Sequence, residues 1–373
     1  MQLNSVNNSL KLNTTNVNQK NNFRNGWIEL VRLIAITSVL LWHFRNHEPL
    51  IAGYWPDFEF GVTLFMLISG FCNYKSTKTR SGKFFIKILI YTFYAILIQL
   101  ILYYGLHWTD VNPFAWIINF EIPSFDYTSY WYVYVYAFVS IFFPIINKYV
   151  AKINKWKLFV VCCVSLLCLF SWKICFFTRW WFYYLFNIWQ ICLFVTVYSL
   201  GVWFAINYKE KISCNKKATW ISLGLIIISC LWMIFYSTIT KIFDQNQIRY
   251  SLFNIFMVFV CDFGFLTFFA SIKPVKVKWV NDIFCYIGWI VLGIYLTHAF
   301  AFIIVGHLFF NDPVSTYSCG YFVGKFLSFF LGSIILSIIM THFVHLHEKL
   351  IFKFYKNYKE KKAKLVNNNK QEK

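Results

Sequence analysis

Charge is scarce in this sequence, and acid is scarcer still. Only 13% of its 373 residues are Asp, Glu, Lys or Arg, with 15 acids against 35 bases. So little charge excludes an ordinary water-soluble domain, in which roughly a quarter of residues are charged. Proline and glycine are also few, at 7 and 15, and no stretch rich in either marks a linker between soluble domains. No internal repeat of about 20–50 residues recurs, which excludes solenoids and propellers. The 11 cysteines make no CxxC pair and no spaced framework. Cys162, Cys163, Cys168, Cys192, Cys230 and Cys261 lie within apolar runs, as small apolar residues do. Residues 1–25 hold nine Asn and no apolar core. Nothing there reads as a secretory signal, and 1–26 is expected to be a flexible tail.

Apolar residues are what the chain has in abundance: 59% are hydrophobic, 23% are aromatic, and the mean hydropathy is +0.54. That composition belongs to a polytopic membrane protein. Apolar runs at 27–44, 58–74, 84–106, 130–147, 157–175, 181–206, 218–238, 250–271, 283–308 and 321–345 predict an all-α fold of about ten transmembrane helices. The second run, 17 residues long, is at the short limit for a span. Charge placement supports counting it. Lys and Arg number 28 in the two tails and even-numbered loops, against 5 in the odd-numbered loops. By the positive-inside rule both termini are cytoplasmic. The chain then divides into the tail 1–26, a membrane domain over 27–348 and a Lys-rich cytoplasmic tail over 349–373. The formal charge of +20 reads as a basic skin over anionic headgroups and not as a nucleic-acid surface. The outer loop 107–129 lacks Lys and Arg but carries Asp110, Glu121 and Asp126 among Trp108, Trp116, Phe120, Phe125 and Tyr127. Those side chains suit sugar rings, and they equally suit a membrane interface.

One apolar run breaks its own rule. Residues 27–44 carry Glu29, Arg32 and His43, and ionisable groups inside a bilayer persist mainly where they face a protein interior. Eleven residues of helix separate Arg32 from His43, roughly 20° past three full turns, so both project from one face about 16 Å apart.

Those residues carry a resemblance. Glu29-Leu-Val-Arg32 followed by Trp42-His43-Phe44 resembles the first-helix motif of the membrane acyltransferase-3 family. Gly61-Val-Thr-Leu-Phe65 with Ser69-Gly70-Phe71 is similar to its second-helix motif. Trp131 and the aromatic run to Pro144, then Ile287-Gly288 and Tyr295-Leu-Thr-His298, and finally Glu348 follow in the family's order. The likeness spans roughly 27–350. Three departures stand out: Lys83 and Lys87 replace an Arg-containing cluster with a following Pro, Trp289-Ile290 replaces a Lys-Ser pair, and no Pro follows Glu348.

The resemblance implies a cytoplasmic acyl-CoA donor, usually acetyl-CoA, and a hydroxyl acceptor on an extracytoplasmic glycan. Group transfer of this kind is acyl, not aminoacyl. Many members carry a soluble extracytoplasmic esterase-like domain, and none is evident here, which points to the membrane-only form. Imidazole serves as base or as transient acyl carrier near neutral pH, so His43 is the expected catalytic group; capping the interface is its plainer use. Arg32 suits the phosphates of coenzyme A and also a pair with Glu29 at i, i+3; the two roles are compatible. Lys83 and Lys87 are candidates to assist it at the donor. His298 and Tyr295 are candidates to orient the acceptor or the acyl carbonyl. Asp262, a lone acid in a span, is a candidate to orient an imidazole or to pair with a buried hydroxyl. Ser69, Gly70 and Phe71 read chiefly as close helix packing. His342, His345 and His347 match no metal-ligand spacing and read as interfacial. The expected protein is a bacterial-type cytoplasmic-membrane O-acyltransferase of cell-surface or lipid-linked polysaccharide. A polysaccharide exporter is the alternative, which the few polar residues facing the spans disfavour.

Overall fold

A computed structural model describes residues 26–47, 60–77, 81–108, 130–176, 182–242, 247–309 and 319–371. Among these, every regular element is a helix. In chain order the α-helices are α1 (Gly26–His47), α2 (Phe60–Asn73), α3 (Ser81–Leu100), α4 (Tyr130–Ser140), α5 (Phe143–Lys152), α6 (Lys155–Phe176), α7 (Phe182–Ile212), α8 (Lys216–Ile242), α9 (Gln247–Ser271), α10 (Lys278–Phe309) and α11 (Cys319–Gln371), with a π-helical turn at Ile101–Gly105 directly after α3. The expected tail 1–26, apart from Gly26, and residues 109–129 of the acidic–aromatic loop 107–129 lie outside the described residues.

Six of these helices are long and apolar enough to cross a membrane: parts of α1, α3, α7, α8, α10 and α11. Gly61–Asn73 of α2 and Phe256–Ser271 of α9 are shorter apolar helices. The outer surface is correspondingly oily. Leu89, Phe93, Val160, Trp220, Leu231 and Leu331 are all exposed, and water tolerates no such girdle on a monomer.

Two expected elements differ in form. The fourth apolar run is not one helix, because α4 ends at Ser140 and α5 begins at Phe143. Pro144 falls in the first turn of α5, where its missing N–H has no carbonyl to serve and its fixed φ suits a new start. The Lys-rich segment from 349 does not separate from the last span; α11 runs unbroken to Gln371.

Glycines set the close approaches. A Cβ on Gly70 of α2 would collide with the carbonyl of Tyr198 on α7, and one on Gly201 of α7 would collide with the carbonyl of Leu67. The two backbones therefore touch through reciprocal glycines, the close packing that membrane helices favour. Asn147 of α5 ties α2 to α7: its Nδ2 donates to the carbonyls of Asn73 and Ser76, and its Oδ1 accepts from the Tyr198 hydroxyl at 3.0 Å.

α1 and α10 run parallel, side by side. The Gly26 N–H, an orphan donor at the start of α1, donates to Asn281 Oδ1 at 2.9 Å. Further along, Trp27 meets Phe284, Glu29 meets Gly288, and His43 meets His298. This pairing positions the site.

Candidate active site

Glu29 is 2% exposed and its two carboxylate oxygens both lie 2.7 Å from Arg32 Nη1. Burying a carboxylate is tolerable only with such a partner. The pair forms because i and i+3 share a helix face, and because α10 presents Gly288 at that level. Any Cβ there would overlap the Glu29 carboxylate. Arg32 spends one nitrogen on the pair, leaving Nε–H and Nη2–H₂ outside it.

Arg32 also forms one wall of a cavity of about 190 Å³. Phe65 and Ser69 of α2, Phe84 of α3, Val133 and Tyr136 of α4, and Gly288 and Tyr295 of α10 supply most of the rest. A space of this size has room for several waters or for the thioester end of a donor. Ser69 Oγ donates to the Phe65 carbonyl at 2.8 Å and lies 3.2 Å from the Tyr136 hydroxyl. Tyr136 and Cys72 are electrostatic neighbours of Arg32.

Gly288, Val291, Leu292 and Tyr295 line the cavity from α10. Their i, i+3, i+4, i+7 spacing is one helix stripe, and His298 is the next residue up it. His298 is 1% exposed and His43 is 4% exposed, and their ring centroids are 4.8 Å apart. His298 Nδ1 lies 2.6 Å from the Tyr295 carbonyl. A carbonyl only accepts, so Nδ1 carries the proton, and the neutral ring has its basic lone pair on Nε2. Trp42 packs edge-on against His43 at 4.8 Å. The structure thus stacks a cation, a small cavity and an imidazole pair along α1 and α10.

Asp262, Glu348, Lys87, Gly70 and Phe71 are not among the residues that line this cavity. Asp262 is wholly buried on α9, with the Thr63 side chain of α2 as its neighbour. Glu348 faces His345 on its own helix at 3.9 Å. His347 Nδ1 meets the Tyr94 hydroxyl at 3.1 Å, and Trp289 packs edge-on against both His342 and His345. Among the described residues, no group of three or more His, Cys, Asp or Glu gathers as metal ligands. Lys87 is half-buried one turn beyond Phe84, and the Lys83 side chain lies outside what the structure describes. Phe71 is buried, 6.1 Å from Phe204, with the Lys209 ammonium 4.8 Å over its ring. Gly70 packs against α7, and Ser69 lies on the cavity wall. Tyr136 is the residue that sequence reasoning missed. It stands in the run Tyr130–Ser140, where aromatic density hides any single ring.

A positive group, a space the size of an acyl thioester and a lone-pair nitrogen are the parts that acyl transfer to a hydroxyl needs. The family model described as "Acyltransferase domain" matches residues 25–342. No curated protein and no solved structure matches the chain. That match takes in both α1 and α10 and covers nearly the whole sequence: the chain belongs to the acyltransferase-3 family and is a membrane acyltransferase.

Proposed function

We propose that this acyltransferase is an O-acetyltransferase that takes the acetyl group of cytoplasmic acetyl-CoA and places it on a hydroxyl of a cell-surface or lipid-linked polysaccharide. It works in the cytoplasmic membrane of a bacterium, crossing it ten times with both ends inside. The observation that carries this reading is the alignment of Arg32, the cavity and the His43–His298 pair along two parallel helices. The 28-to-5 division of basic residues supports the orientation, and the parallel run of α1 and α10 fits a first and a ninth span.

In this scheme Arg32, steadied by Glu29 and assisted by Lys83 and Lys87, holds the donor phosphates at the cytoplasmic mouth. The thioester end enters the cavity past Tyr136 and Ser69. An imidazole Nε2 takes the acceptor hydroxyl's proton, the hydroxyl oxygen attacks the acyl carbon, and the carbon–sulfur bond breaks. The thiolate of coenzyme A leaves and collects the proton. If His43 carries the acyl group in between, its ring nitrogen first bonds the acyl carbon as the carbon–sulfur bond breaks, and the acceptor oxygen then displaces that nitrogen, the hydroxyl's proton ending on the thiolate.

The test uses the full-length protein in membranes, wild type and His43→Ala, supplied with radiolabelled acetyl-CoA. Label entering extractable glycan and thiol release by wild type alone support the reading. No acetyl-CoA consumption by wild type, together with loss of surface polysaccharide on gene deletion, replaces it with export.

A further inference from the structure

Below the bundle, α11 continues as an exposed helix with two unlike faces. Leu350, Ile351, Phe354, Tyr355 and Tyr358 occupy an arc of roughly 140°. All five are exposed, and the three aromatics are 72%, 62% and 65% exposed. Lys349, Lys353, Lys356 and Glu360 occupy the opposite side, where Lys356 and Glu360 pair at 3.9 Å. Lys359 lies roughly 40° outside the apolar arc and Lys361 just inside its Leu350 edge. Residues 349–373 carry nine Lys against two Glu.

The apolar arc does not begin at 350. Ile339, Phe343 and Leu346 are exposed on α11 too, and with Leu350 and Phe354 they fall within about 80° of one another around the helix. The stripe that meets lipid along the span therefore runs on, without a break, into the basic extension. A helix with an aromatic apolar face and lysines around it is the pattern of a segment lying in a membrane interface, and anionic headgroups attract each nearby lysine.

We infer that residues 350–361, where α11 leaves the bilayer, lean their apolar arc against its anionic headgroup layer, with Phe354, Tyr355 and Tyr358 in that layer and Lys359 and Lys361 on its phosphates. This rests on the reading that α11 crosses that bilayer. The lysines argue against a second copy of this chain as the occupant, because two such extensions would bring like charge together.

The test places a photoreactive benzoylphenylalanine at Phe343, Phe354, Tyr358 or Lys356 of the full-length protein. Nanodiscs contain either phosphatidylcholine alone or a mixture with phosphatidylglycerol, and adducts are read by mass spectrometry. Phe343, inside the span, must give lipid adducts in both discs; if it does not, the placement of α11 in the bilayer fails. With that control met, lipid adducts at 354 and 358 on the order of tenfold above 356, stronger with phosphatidylglycerol, support the inference. Chain-to-chain adducts at 354 and 358 overturn it in favour of self-association. Equal yields on both faces, no adducts on the arc, or indifference to phosphatidylglycerol also overturn it.

Discussion

Gly288→Ala is the sharpest probe of the buried ion pair. The new methyl would overlap the Glu29 carboxylate, and it would also stand only 2.9 Å from Glu29 Cβ. Swinging the carboxylate away therefore does not clear the clash, and α1 and α10 must part as well. Overpacking of this kind costs about 1–3 kcal/mol. If the carboxylate leaves Arg32, a buried charge loses its partner, and the loss rises to about 3–5 kcal/mol. Arg32 lines the cavity, so its displacement misplaces whatever it holds, and an error of about 1 Å costs on the order of 100-fold in rate. Gly224→Ala is the control, since a Cβ there meets nothing within 4 Å and removing a mid-helix glycine gains up to about 1 kcal/mol. Thermal unfolding in nanodiscs and coenzyme A release are measured for both variants. The reasoning is refuted if Gly288→Ala melts and turns over like Gly224→Ala.

Three other substitutions divide the site by role. His298→Ala and His43→Ala should each lower kcat by about 10²–10⁴-fold, the usual worth of a positioned acid or base, with membrane insertion unchanged; turnover within threefold of wild type removes that imidazole from the chemistry. Arg32→Lys keeps the charge but loses the planar fork, so KM for acetyl-CoA should rise about tenfold or more while kcat changes less. An unchanged KM would take Arg32 out of donor binding. Tyr136→Phe deletes the hydroxyl beside Ser69 and leaves the ring in place, a loss of about 0.5–1.5 kcal/mol if that bond is neutral, seen as a several-fold drop in kcat/KM. A wild-type value means the hydroxyl is packing only.

Much of this was legible in the sequence because it is local. Helical spacing alone joins Glu29 to Arg32 and puts His43 on the same face. The partner of His43 was not legible that way. His298 is 255 residues distant in the chain, and only the pairing of α1 with α10 brings the rings together. The family resemblance supplied both histidines without their contact. Tyr136 was hidden for a different reason: in a segment where nearly every residue is apolar or aromatic, periodicity carries no contrast. The break between α4 and α5 had a visible marker in Pro144, but a run of the right length for one span outweighed it. The extension of α11 was obscured by its lysines. A basic run beyond a span reads as a tail, although the 3.6-residue spacing of Leu350, Phe354 and Tyr358 was there to be found.

The hydrogen bond at His298 Nδ1 is made to main chain, the Tyr295 carbonyl, while the Tyr295 ring packs beside the imidazole. Whatever residue occupies position 295, its carbonyl stays one turn below the imidazole as long as α10 is a helix. A substitution at that position reshapes the cavity wall, and with it the choice of acyl group, while leaving in place the carbonyl that accepts from Nδ1. Selectivity and acid–base orientation are thereby assigned to different parts of one residue, free to change separately.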